Sequence, residues 1–198
     1  MSESMLDELA KQWNQQEDHE LHRALDVDER TASAAYGAGL GTVLRSLERK
    51  AQTPEGADAI WKTIEREAAH RRIPTTPESK PIPLDPETTD SILKDILGGK
   101  AEEVEDRMGK TVRIDAGKMK KVLSVLLPVI LGAIKSRAAR EGGGGGSKSL
   151  PDILGRARKD LDKRQPKSGG ILDAILDRDH DGDVDLSDLA GIFLGGRR

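Results

Sequence analysis

The chain has 198 residues, 35% hydrophobic and 34% charged, with a formal net charge of −3 and no cysteine. That length suits one domain or two small ones. The missing cysteines exclude disulfides, thiolate metal sites and a cysteine nucleophile. The near-neutral balance argues against a dedicated nucleic-acid binder, and four aromatics (Trp13, Tyr36, Trp61, Phe193) are too few for a stacking platform.

In chain order, Met5, Leu6, Leu9 and Trp13 make an apolar stripe at helical spacing, with Ser2 or Ser4 available as N-cap. The acidic start, without an apolar stretch, does not read as a secretory signal. Asp28 caps a long helix running to about Ala51, with apolar face Ala35, Tyr36, Leu40, Val43, Leu44 and Leu47. Gly37, Gly39 and Gly41 within it imply a close helix contact, since each glycine costs about 0.5–1 kcal/mol against alanine. The stretch lacks the strand and the G-K-[ST] of a phosphate loop. Thr53-Pro54-Glu55 opens the next helix, which carries Ile60, Trp61 and Ile64.

Residues 73–89 hold five of the nine prolines (Pro74, Pro77, Pro81, Pro83, Pro86) and read as an extended linker. A short helix then starts at Asp90 or Ser91, runs from Ile92 to Leu97 and stops at Gly98-Gly99. Asp115 caps a second long helix to about Ala139. Its run 122–134 is too short to span a bilayer and contains Pro128, so it reads as a core helix kinked at Pro128. Gly142–Ser147 is a flexible connector. No alternating strand pattern of useful length occurs, so the expected class is all-α.

The chain also repeats itself at a shift of 87 residues. Leu6 meets Leu93, Glu8 meets Asp95, Leu9 meets Ile96, Leu25 meets Val112, Val27 meets Ile114 and Asp28 meets Asp115. Leu40, Val43, Leu44 and Leu47 meet Leu127, Ile130, Leu131 and Ile134, and Lys50 meets Arg137. Apolar stripe and capping aspartate match while exposed positions drift, as expected for two copies of one helical unit. Gly41 against Pro128 and Trp13 against Lys100 show that the copies are not interchangeable. The predicted organisation is a first helical repeat at 1–72, a Pro-rich linker at 73–90, a second repeat at 91–141, a Gly-rich linker at 142–148, a helix and linker at 149–169, and a final segment at 170–198.

That final segment carries the chemistry. Residues 177–188 read D-R-D-H-D-G-D-V-D-L-S-D. An EF-hand-type loop takes oxygen ligands at positions 1, 3, 5, 7, 9 and 12, with glycine at 6. Asp177, Asp179 and Asp181 fill the first three, and Gly182 supplies the turn. Asp183 would bind through its main-chain carbonyl, Asp185 through a water, and Asp188 would close the shell with both oxygens. Six aspartates within twelve residues repel one another unless a cation sits among them. Calcium suits the all-oxygen set best, with magnesium or manganese as alternatives. Asp188 stands where EF-hands usually carry glutamate, and in this the loop resembles the dockerin type; only one loop is found, so dockerin partners are not implied.

Other candidates are weaker. His19 and His22 lie at i, i+3 without a third ligand, and read as a solvated helix face. Arg156, Arg158, Lys159, Lys163 and Arg164 alternate with Asp160 and Asp162 and also read as a solvated face. No nucleophile, base and orienter can be assembled, so the chain is read as non-enzymatic.

Four segments resemble the bacterial domain of unknown function 937: A-S-A-A-Y-G-A-G-L-G-T-V-L-R-S-L-E-R-K-A-Q-T-P-E-G-A at 32–57, I-L-K-D-I-L-G-G-K at 92–100, V-L-S-V-L-L-P-V-I-L-G-A-I at 122–134, and the Asp-rich stretch 169–189. The resemblance implies a helical, cytoplasmic bacterial protein and transfers no catalytic residue. The expected function is divalent-cation binding that stabilises the C-terminal segment and docks a protein partner. The alternative is a self-assembling structural protein in which metal is incidental.

Overall fold

The computed structural model describes residues 4–15, 25–74, 82–140 and 146–164. Every regular element among them is helical: α1 (Met5–Gln15), α2 (Glu29–Lys50), α3 (Pro54–Ala69), α4 (Pro86–Leu97), α5 (Ala101–Val112), α6 (Ala116–Arg140) and α7 (Leu150–Arg164). Single 3-10 turns at Gly98–Lys100 and Ser147–Ser149 lead into α5 and α7.

Side chains fix most helix starts. Ser4 and Asp7 form a reciprocal capping box: the Asp7 amide donates to Ser4 Oγ at 3.2 Å, and the Ser4 amide donates to the Asp7 carboxylate at 3.1 Å. Asp28 accepts from the Thr31 amide at 3.0 Å, and Asp115 from the Lys118 amide at 2.8 Å. Thr53 Oγ1 accepts from the Gly56 amide at 3.1 Å, with Pro54 in the first turn of α3. A Cβ on Gly56 would stand 1.9 Å from the Lys50 carbonyl oxygen, so only glycine lets α3 start this close to the end of α2. The start of α4 departs from expectation. It lies at Pro86, not at Asp90 or Ser91, and Asp85 accepts from the Thr88 amide at 2.9 Å. Asp85-Pro86-Glu87 is a cap followed by proline, the same device as Thr53-Pro54-Glu55, and the expected linker at 73–90 therefore includes the first turn of a helix.

The core is built on α6, which touches α1, α2, α3, α4, α5 and α7. Leu123, Leu126, Leu127, Ile130, Leu131 and Ile134 are at most 1% exposed. Its longest contact is with α2, where a Cβ on Gly39 would meet the side chains of Leu123 and Leu126 at 3.4 and 3.5 Å. Gly39 of α2 thus stands where the two long helices approach. By length and composition α6 is the one helix among the described residues that could cross a membrane, yet 67% of its most apolar window is buried against the other helices.

α6 runs unbroken through Pro128. Proline has no amide hydrogen, so the carbonyl of Ser124, one turn earlier, has no donor from that position. The Leu84 amide supplies one at 3.0 Å. Eight residues further along α6, a Cβ on Gly132 would come within 2.9 Å of the Pro74 carbonyl oxygen. Both described ends of the Pro-rich segment therefore lie on α6.

One group in this core is out of place. Thr42 of α2 is 0% exposed, and its hydroxyl has no hydrogen-bond partner. The position 87 residues later is Val129. Thr42→Val keeps the branched shape and removes an uncompensated hydroxyl. We expect a gain of about 1 kcal/mol in denaturant unfolding, and a loss of stability would show that the hydroxyl is satisfied by water.

Candidate functional site

The proposed ligands Asp177, Asp179, Asp181, Asp183, Asp185 and Asp188 lie outside the described residues, as do His19 and His22. Among the described residues, no group of three or more His, Cys, Asp or Glu is arranged to hold a metal ion. The described chain closes at Arg164, at the base of the segment that carries the loop. Arg164 donates to Ser4 Oγ at 3.1 Å and pairs with Asp7, across the capping box of α1.

The Arg164 bond is the main cause that holds the Asp7 carboxyl down at about 2, helped by its bonds from Ser4. A depressed carboxylate contributes stability above its ordinary value of 3.8 and loses it as pH falls toward about 2. The anchor is therefore intact throughout the neutral range. Asp7 is 43% exposed, so the pair is worth a fraction of a kcal/mol to about 1 kcal/mol.

The basic residues of α7 are solvent-exposed, as read, and ion pairs to neighbouring helices run along that face. Arg158 reaches Glu48 of α2 at 3.6 Å, and Asp162 accepts from Arg45 of α2 at 3.0 Å. These pairs help fasten α7 to α1 and α2, while Lys163 pairs within α7 and stays exposed.

Buried acids elsewhere are also spoken for. Glu67 is 1% exposed, and its two oxygens accept separately from Arg66 at 2.8 Å and Arg72 at 3.0 Å. Glu8 pairs with Arg137 at 3.3 Å and Arg140 at 2.8 Å. A depression between α2, α3, α4 and α6, lined by Lys50, Ile60, Thr63 and Asp95, encloses about 10 Å³, room for about one water.

Glu105 is different. It is 4% exposed on α5, beside Lys120, Asp90 and Glu102, while Lys120 pairs with Asp90 at 2.8 Å. Burial pushes its carboxyl above the ordinary 4.5; Lys120 opposes this, and Asp90 and Glu102 add to it. A raised carboxyl costs stability progressively as pH climbs from its ordinary value toward its folded value, in full above that, and nothing when both states are protonated. Glu105→Gln should therefore unfold at higher denaturant than wild type near neutral pH. The gap should close below pH 4.5. A gap that persists in acid would mean the gain is not electrostatic.

No curated protein matches the chain, and no solved structure does. The model of one family, described as bacterial proteins of unknown function (DUF937), matches residues 7–137, from α1 to the last turn of α6. The match stops before α7 and the Asp-rich loop, so it lends that loop no support. With more than half of its length covered, the chain belongs to the DUF937 family.

Proposed function

We propose that this is a non-enzymatic cytoplasmic protein whose C-terminal loop, Asp177–Asp188, binds one divalent cation, calcium by preference, and so orders a tail that docks a protein partner. The observation that carries this is the spacing: five acidic side chains at ligand positions 1, 3, 5, 9 and 12, a sixth at 7, and glycine at 6. Arg164, fixed on α1, gives the tail a held origin. Ordering by a cation would present the tail from a defined place on the helical body.

The reading of the body as two repeated units has support of its own. The capping aspartates Asp28 and Asp115 accept the same bond, from the residue three positions on. Two residues before each cap, Asp26 and Arg113 both have positive φ, 51° and 61°. The matched apolar positions are buried on both sides: Leu25 and Val112, Val43 and Ile130, Leu44 and Leu131, Leu47 and Ile134.

Calcium titration of the full chain by calorimetry should give one ion per chain. The double variant Asp177→Ala, Asp181→Ala should bind none. Absence of heat and of any thermal shift at millimolar calcium would refute the reading. The two-unit reading has a separate test. Asp28→Ala and Asp115→Ala should each lose about 1 kcal/mol, and unequal losses beyond a factor of about three would argue against equivalent caps.

A further inference from the structure

We propose that α5 is a proton-controlled flap over the two long helices, closed while Glu105 carries a proton and lifting at its N-terminal end when Glu105 is ionised. This does not depend on the cation reading. It starts from how α5 is tied at its two ends. The turn before it, Gly98–Lys100, has no side-chain cap, and neither has α5, whereas side chains cap α1, α2, α3, α4 and α6. Gly98 takes a φ of 69°, which favours glycine, and a Cβ on Gly98 or Gly99 would meet nothing within 4 Å. Gly98 is therefore needed for its backbone, not for a close neighbour. Three residues span about 6 Å as a 3-10 turn and about 10 Å when extended, so this turn can lengthen by about 4 Å.

The far end is fixed. The Ile114 amide donates to the Gly109 carbonyl at 2.9 Å, and a Cβ on Gly109 would stand 2.7 Å from the Ile114 carbonyl oxygen. Met108 and Val112, both 0% exposed, hold this end on the core. Toward the loose end the buried apolar side chains are Ala101 and Val104. The ion pairs Arg107–Glu103 and Lys110–Asp106 run along α5 itself and do not fasten it to a neighbour. α1, α3 and α7 differ, because Glu8, Arg66 and Arg158 each reach another helix. An uncapped start with few apolar contacts is what local opening requires.

Glu105 stands at this loose end, at the start of the second turn. It is buried and has no hydrogen bond or ion pair among the described residues. The charges that act on it are Lys120 of α6, Asp90 of α4 and Glu102 of α5; α2 and the turn at Gly98–Lys100, which also pack on α5, contribute none among the described residues. Lys120 is the one cation among three carboxylates, and it already pairs with Asp90. An ionised Glu105 in the closed position is thus buried near two like charges, with a counter-ion it must share, and lifting α5 returns it to water. Burial raises the closed-state carboxyl above its ordinary 4.5, so the closed state holds the proton more tightly than the open one. Opening is therefore favoured progressively as pH climbs from 4.5 toward the closed-state value, and levels off above it.

Hydrogen exchange of the full chain in a chelator, corrected for intrinsic exchange at each pH, tests this. A helix as short as α5 is not stable off the core, so its amides exchange when it lifts. We expect the amides of Glu105, Asp106 and Arg107 to be about tenfold or more less protected than those of Ile130 and Leu131 near neutral pH, with little sensitivity to added denaturant, the mark of local opening. Their protection should fall about threefold or more between pH 4 and pH 7. Glu105→Gln should abolish that fall, and Lys120→Gln, which removes the counter-ion, should carry it to higher pH. Amides of α5 as protected as those of α6 at every pH, or a fall that persists in Glu105→Gln, would overturn the proposal. Should Glu105→Gln fail to fold, an unchanged pH profile in Lys120→Gln would overturn it equally.

Discussion

The seating of α6 against α2 is the contact on which the other elements depend. Each fully buried Leu or Ile is worth about 2 kcal/mol, so six on α6 represent on the order of 10 kcal/mol, comparable with the net stability of a whole domain. α1 seats on α6, α3, α4 and α7 seat on both members of the pair, and α5 closes on both long helices. Gly39 matters here because a methyl at that position would already stand at van der Waals contact with Leu123 and Leu126.

Apart from the Thr42 hydroxyl and Glu105, polar groups are arranged so that this core bears little cost from them. Pro128 removes a donor from the most buried helix, and Leu84 returns one from outside the helix. The two ends of the Pro-rich segment are thereby fastened to the same face. Glu67 is held between two arginines and Glu8 between two others, all at or near helix ends. Buried carboxylates so paired are expensive to break and poor at chemistry, since their lone pairs are already committed. This agrees with a body whose charges fasten helices together.

Much of this was legible in the residues. Asp28, Thr53 and Asp115 are short polar side chains ahead of apolar stripes, and each became a cap where its local chemistry indicated. Asp85 followed the same rule, but the density of prolines around it resembles a linker more strongly than a helix start. Helix α5 was missed in the sequence, although Ala101, Val104, Met108 and Val112 lie at helical spacing. The pairing of α7 with Arg45, Glu48 and Asp7 was not readable, because ion pairs between distant helices leave no periodic trace. For the candidate metal loop the situation is reversed. Its ligands are consecutive, so local spacing carries the whole inference and tertiary contacts add nothing to it.

On the proposed cation-binding reading, the body and the loop at 177–188 depend on different physics, and Arg164 is the last described residue before that loop. Apolar burial holds α1 to α7 whatever the ionic conditions. The aspartates of 177–188 repel one another more strongly as salt falls, and only a cation reverses the sign. Arg164 sits between these regimes, committed to Asp7 and Ser4 of the first helix. The Arg164–Asp7 junction is built from charges that stay paired across the neutral range. On that reading, ordering of 177–188 would leave the paired charges at Arg164 and the apolar core unchanged, which is what a docking element on a stable scaffold would require.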